Sequence, residues 1–167
     1  MKKILVIDDN AANQDAARGL ADADHEVTVI GSYDEACKAF ILDPLLNKGT
    51  RFDIVFLDLL MPCPCDSAWL SSSEQEFDGQ EMPFGFSLLF LAVLSGAKHV
   101  AVVTDRNHHL HPMVASLDKV DPPYNKKQFQ LNGAVVRFFQ HPKNTTDFWK
   151  QLLEKLLSSE PPQNSPE

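Results

Sequence analysis

Short apolar runs alternate with longer mixed stretches along this chain, and the alternation recurs five times. Ile4-Leu5-Val6-Ile7 is apolar at every position and stops at Asp8-Asp9-Asn10. A run with no polar face is buried on both sides, as central strands of parallel sheets are. Residues 11–22 read as a helix, with Asn10 placed to cap it. Val27-Thr28-Val29-Ile30 is a second strand, closed by Gly31. Ser32 followed by Glu35 forms a capping box for the next helix. That helix turns Ala36, Ala39, Phe40 and Leu42 inward.

Residues 52–57 form the third strand and deliver Asp58 at its end. An irregular stretch, 63–83, precedes a third helix over residues 85–95. Residues 99–103 form the fourth strand, which ends at Thr104-Asp105. A second irregular stretch spans 106–132, with a weak helical pattern at 113–117. Residues 134–139 form the fifth strand, which leads to His141-Pro142. Residues 144–157 form a terminal helix with Phe148, Leu152, Leu153 and Leu156 at helical spacing. Strands alternating with helices predict an α/β fold, and right-handed crossovers make it a doubly wound, five-stranded parallel sheet with helices on both faces. No internal repeat is visible.

Composition sets the class. At 167 residues, with 44% hydrophobic, the chain fits one domain with a true core. The expected domain covers 1–157, with insertions at about 63–83 and 106–132. The polar, Pro-rich string at 158–167 is expected to be a disordered tail. Lys plus Arg number 15 against 23 Asp plus Glu, a net charge of −8. That charge opposes non-specific binding of nucleic acid or an acidic membrane and favours a cation. Three cysteines without a secretory leader suit a reduced, cytoplasmic chain. The longest apolar stretch, 84–94, is too short to span a membrane, where about 20 residues are needed.

The polar residues of interest gather at strand ends: Asp8 and Asp9 after the first, Asp58 after the third, Thr104 after the fourth, His141-Pro142 after the fifth. Ligands of open α/β sheets bind beyond these carboxyl ends. Three carboxylates in one crevice repel one another, and a hard divalent cation such as Mg²⁺ relieves the conflict. One carboxylate is then free to attack a phosphoryl group.

The strings ILVIDDN (4–10), FDIVFLDLLMP (52–62), VAVVTD (100–105) and VVRFFQHP (135–142) resemble, in order, the four signature segments of response-regulator receiver domains. The resemblance covers the chain apart from the two irregular stretches and the tail. It implies a flavodoxin-like strand order, 2-1-3-4-5, and a single-domain response regulator in phosphorelay (two-component) signal transduction. In that reading Asp58 is the phospho-acceptor. Asp9 binds Mg²⁺ directly, Asp8 acts mainly through water, and the Leu60 backbone carbonyl is a further ligand. Thr104 is the switch hydroxyl, and Phe138 holds the aromatic switch position. The output face comprises the fourth helix, fifth strand and last helix. The implied partners are a sensor histidine kinase or phosphotransfer protein and an unidentified downstream protein.

The sequence also departs from the family. Receivers carry Lys immediately before the Pro that follows the fifth strand, and here that residue is His141. His141 is therefore expected to contact the phosphoryl group when protonated. Lys143, beyond Pro142, is not expected to replace the missing Lys. About 20 residues separate the Met61-Pro62 turn from the third helix, where receivers have few. Both insertions are expected to overhang the crevice. These departures raise an alternative, a pseudo-receiver that binds a partner without phosphorylation-driven switching. Cys63 and Cys65, with His108, His109 and His111, suggest a second metal site. A phosphatase of the haloacid-dehalogenase type is disfavoured, because its Asp-x-Asp pattern is absent. A flavin protein is disfavoured too, because no phosphate-cradling loop follows the first strand.

Overall fold

The computed structural model describes residues 1–41, 52–63, 77, 79–105 and 128–158. Their elements run β1 (Lys2–Ile7), α1 (Ala11–Arg18), β2 (His25–Ile30), α2 (Tyr33–Ile41), β3 (Ile54–Asp58), β4 (Met61–Pro62), β5 (Glu81–Met82), α3 (Phe84–Leu94), β6 (His99–Thr104), β7 (Gln128–Leu131), β8 (Ala134–Gln140) and α4 (Thr146–Leu157). The fold is α/β, with a six-stranded, mostly parallel sheet in the order β2-β1-β3-β6-β8-β7.

Alternation along each buried strand builds two cores. Leu5, Ile7, Val55, Leu57, Val100 and Val102 face α2 and α3, together with Phe40, Leu88 and Ala92. Ile4, Val6, Ile54, Phe56, Ala101 and Val103 face α1 and α4, together with Ala17, Trp149 and Leu152. Helices therefore cover both faces. Trp149 meets Phe56 edge-on with ring centroids 5.6 Å apart, which ties α4 to the middle of the sheet.

The same alternation places the acids. Ile4 pairs with Ile54 and Val6 with Phe56, both on the α1/α4 side. One step beyond the last paired residues, Ile7 and Leu57, Asp8 and Asp58 share that side as neighbours. They stand at the carboxyl ends of adjacent central strands, next to the first turn of α1 and the approach to α4.

Local chemistry explains the element ends. Asn10 caps α1, its side-chain oxygen accepting from the amides of Ala12 at 2.9 Å and Asn13 at 3.4 Å. Ser32 accepts from the Glu35 amide at 3.3 Å, as the capping box requires. Helix α1 stops at Arg18 rather than reaching residue 22. The Thr146 hydroxyl donates to the Ala16 carbonyl at 2.9 Å, and Gly19 leaves space for Thr146, so the helix end is held from α4. Helix α4 begins at Thr146 rather than at residue 144, and Thr145 caps it, its hydroxyl accepting from the Phe148 amide at 3.3 Å.

The expected five-stranded parallel sheet gains a sixth strand. β7 pairs antiparallel with β8, and Leu131 faces Ala134 across a two-residue turn. Asn132 and Gly133 both have positive φ, 48° and 80°, the conformation that Asn-Gly hairpin turns adopt. The expected helical pattern at 113–117 and the tail at 159–167 lie outside the described residues. No helix among the described residues is long and apolar enough to cross a membrane.

Gly85 fixes how α3 meets the site. A Cβ there would stand 2.5 Å from the Asp58 carbonyl oxygen and 2.7 Å from the Leu59 Cα. The Gly85 amide instead donates to the Leu59 carbonyl at 3.1 Å. Both obstructing atoms are backbone, so no rotamer change relieves the clash. Gly85→Ala is expected to lower unfolding stability by about 2 kcal/mol, the scale of core overpacking. Urea denaturation measures this, with Gly133→Ala, where only positive φ is strained, expected to cost about 1 kcal/mol.

Candidate functional site

The carboxyl ends of β1 and β3 bring three carboxylates together. Ligand atoms of Asp8, Asp9 and Asp58 all lie within 4.8 Å of one another. Asp8 is wholly buried. Its Oδ1 accepts from the Asn10 amide at 3.0 Å and the Asn13 side-chain amide at 3.0 Å. Gln14 donates to the Asp8 main-chain carbonyl at 2.8 Å. The first turn of α1 thus locks Asp8, which is how a buried carboxylate is tolerated.

The feature that organises the site is Lys143. Its side chain is buried, and its ammonium lies 2.8 Å from Asp8 Oδ2 and 2.7 Å from Asp58 Oδ2. The expectation that His141 takes this place is corrected. The His141 backbone amide donates to the Thr104 carbonyl at 2.9 Å, but its ring is exposed and stacks on Phe148 of α4 at 4.6 Å. His141 Nδ1 lies 2.9 Å from the Pro142 carbonyl. Lys143 succeeds because its long stem reaches from the approach to α4, on the face that Asp8 and Asp58 share. An imidazole at 141 finds a nearer aromatic partner in Phe148.

Burial pushes the Asp58 carboxyl up to about 7; Lys143 opposes the shift, and Asp8 and Asp9 add to it. Asp9, nearer solvent, is raised by burial, held back by a backbone hydrogen bond, and raised further by Asp8 and then Glu81. Burial works against the charge on Lys143, but Asp58 and Asp8 outweigh it and hold the ammonium above its ordinary range. The crevice therefore carries excess negative charge at neutral pH, and the oxygen donors present suit a hard divalent cation.

A small polar pocket of about 60 Å³ opens beside these groups, lined by Asp9, Asn10, Asn13, Asp58, Leu60, Glu81 and Asp105. Leu60, expected to offer a carbonyl, is in this lining. Thr104 is buried at the end of β6, beside β8. Phe138 faces the other core and packs against Phe129 at 5.8 Å and Phe86 at 6.0 Å. Of the suggested second metal set, Cys63 is buried; Cys65, His108, His109 and His111 lie outside the described residues. Among the described residues the acidic trio is the one cluster of metal-binding type.

The first insertion is closed at its base. Met61 and Pro62 pair antiparallel with Met82 and Glu81, and the Cys63 amide donates to the Gln80 carbonyl at 2.8 Å. This short pair puts Glu81 on the pocket rim. Sequence reading missed Glu81, because an irregular stretch gives no period from which to place it, and missed Asn13 and Gly85, because their contacts with Asp8 and Leu59 are tertiary and leave no mark on a helical period.

Comparison with family models finds no match, and comparison with curated proteins finds none.

Two outcomes follow for stability. Lys143→Met leaves two buried carboxylates without their shared cation and is expected to cost about 3 kcal/mol at pH 7. His141→Ala is expected to cost less than about 1 kcal/mol. Chemical denaturation in a chelator-treated sample separates them. The second outcome concerns pH. Asp58 holds its proton up to about 7 when folded against 3.8 ordinarily, so the folded state binds more protons between those values. Its contribution is present below about 3.8 and is lost as pH rises through about 7. The stability of Asp58→Asn relative to the cation-free wild type should therefore rise from pH 4.5 to 7.5, read from urea midpoints.

Proposed function

We propose that the chain is a single-domain response regulator of the phosphorelay type, with Asp58 as phospho-acceptor. The observation that carries this reading is the Lys143 ammonium lodged between the Asp8 and Asp58 carboxylates. Receivers need a cation at this place, and this chain supplies it two residues after the expected position. The strand order β2-β1-β3-β6-β8-β7 supports a flavodoxin-like arrangement of the five parallel strands, 2-1-3-4-5, with β7 added at the edge.

In this reading an Asp58 carboxylate oxygen attacks the phosphorus of a phosphohistidine donor. A P–O bond forms, the P–N bond breaks, and the imidazole leaves with a proton. Asp58 becomes an acyl phosphate. Lys143, already 2.7 Å from Asp58, turns to a phosphoryl oxygen. Asp9, Asp58 and the Leu60 carbonyl would hold Mg²⁺, with Asp8 acting through water. The ion would neutralise charge on the transferring group. The Thr104 hydroxyl would follow the phosphoryl oxygen, and Phe138, packed between α3 and β7, would respond on the output side.

The alternative, a pseudo-receiver that binds a partner without switching, draws support from Glu81. This carboxylate from the insertion lines the same pocket as Asp58 and opposes entry of an anion. The readings part on one experiment. Beryllium trifluoride with Mg²⁺, followed by NMR, should shift the amides of 8–10, 58–60 and 104 in wild type and in His141→Ala. Asp58→Asn should show no beryllium-dependent shift, and Lys143→Met a strongly reduced one. A wild type unchanged by both beryllium trifluoride and a small-molecule phosphoryl donor sinks the phosphorelay reading.

A further inference from the structure

We propose that Asn13 is a positioning residue of the crevice: its side-chain nitrogen reserves Asp8 for Lys143, and its side-chain oxygen receives a water of a divalent cation held by Asp9 and Asp58. The inference rests on the reading of the crevice as a divalent-cation site. It adds a neutral residue of α1 to the acids that reading names.

Asn13 stands in the first turn of α1 and is 4% exposed. Its Nδ2 lies 3.0 Å from Asp8 Oδ1 and 3.3 Å from Asp8 Oδ2. A carboxylate only accepts hydrogen bonds, so the nitrogen end of the amide must face Asp8. The oxygen end then faces away from Asp8. Among the described residues no donor meets that oxygen, and Asn13 lines the small polar pocket together with Asp9, Asp58 and Leu60. A nearly buried amide oxygen without a protein donor needs one from the pocket, and a metal-bound water is such a donor.

Asp8 shows the other half of the arrangement. Its Oδ1 accepts from the Asn10 amide and from Asn13, each at 3.0 Å. Its Oδ2 meets the Lys143 ammonium at 2.8 Å and Asn13 again at 3.3 Å. An ionised carboxylate offers about four lone-pair directions, and these contacts occupy them. Asp8 is wholly buried and is not part of the pocket lining, whereas Asn13 is. Asn13 therefore stands between Asp8 and the space where an ion fits. It passes the influence of Asp8 outward through a neutral group.

This arrangement selects between ions. Mg²⁺ gives up its waters reluctantly, whereas Ca²⁺ is larger and takes more oxygen ligands in a looser geometry. An amide oxygen that accepts from a bound water favours the ion that keeps its waters. Asn13 thus adds a preference for Mg²⁺ to a set of acids that binds either ion.

The test uses the full chain with Mg²⁺ and Ca²⁺, titrated separately by calorimetry and NMR. Asn13→Leu should weaken Mg²⁺ about 10-fold and Ca²⁺ less than about threefold, so the preference falls. Gln14→Leu is the control for a purely structural effect. Gln14 holds the Asp8 main-chain carbonyl at 2.8 Å and does not line the pocket, so its loss should lower stability and leave the Mg²⁺-to-Ca²⁺ ratio at the wild-type value. In wild type, Mg²⁺ should shift the Asn13 side-chain amide resonances more than Ca²⁺ does. Should Asn13→Leu not fold, Asn13→Ser carries the same test, because one hydroxyl can serve Asp8 or the bound water but not both. An unchanged ratio in the folded variant, or an Asn13 side chain that Mg²⁺ does not move, overturns the inference alone. A wild type in which neither ion shifts the amides of 8–10 and 58–60 overturns the cation site itself, and with it the phosphorelay reading.

Discussion

A single ammonium group, sealed from water, stands between two carboxylates at the ends of neighbouring buried strands. Asp8 could not sit at zero exposure without the Lys143 ammonium 2.8 Å away and the amides of Asn10 and Asn13 around it. Asp58, held at 2.7 Å by the same ammonium, still has its carboxyl pushed up to about 7. The cation offsets part of the burial cost and not all of it. What is left over is an appetite for further positive charge, and the pocket beside Asp58 is where such charge has room. The fold around it, including the cap of α1, the approach to α4 and the docking of Gly85, keeps these groups in place.

The strands were legible because parallel strands in the sheet interior are apolar on both faces, and Ile4–Ile7 and Ile54–Leu57 are so. The acids were legible because such strands end abruptly in polar residues on the binding edge. The hairpin of β7 and β8 had a signal that the reading did not use. Asn132-Gly133 between apolar residues is a turn dipeptide with a mechanism. Its neighbours looked irregular only because the strand before it is four residues long.

Lys143 was not legible. It lies in a short connection with no period, and its role depends on the path from β8 to α4 and on the reach of a flexible stem. The motif position favoured His141, but sequence adjacency to Pro142 says nothing about which side chain enters the crevice. The preference of His141 for the Phe148 ring, 4.6 Å away in near-parallel stacking, is a tertiary contact. The same holds for Glu81. Its place follows from a two-residue strand pair that no propensity argument would select.

Gly85 bears on how motion would leave this centre. At that point α3 and the acceptor loop touch backbone to backbone, with no side chain between them to rotate or compress. A displacement of the loop by a fraction of an ångström therefore enters α3 at its first turn without being absorbed. The helix is eleven residues long and rests on a tightly packed core, so it moves as a rod rather than bending. Its far end carries Phe90 and Leu94, both exposed to solvent. A glycine chosen for want of space thus makes a mechanical linkage from the carboxylates to an apolar patch on the surface.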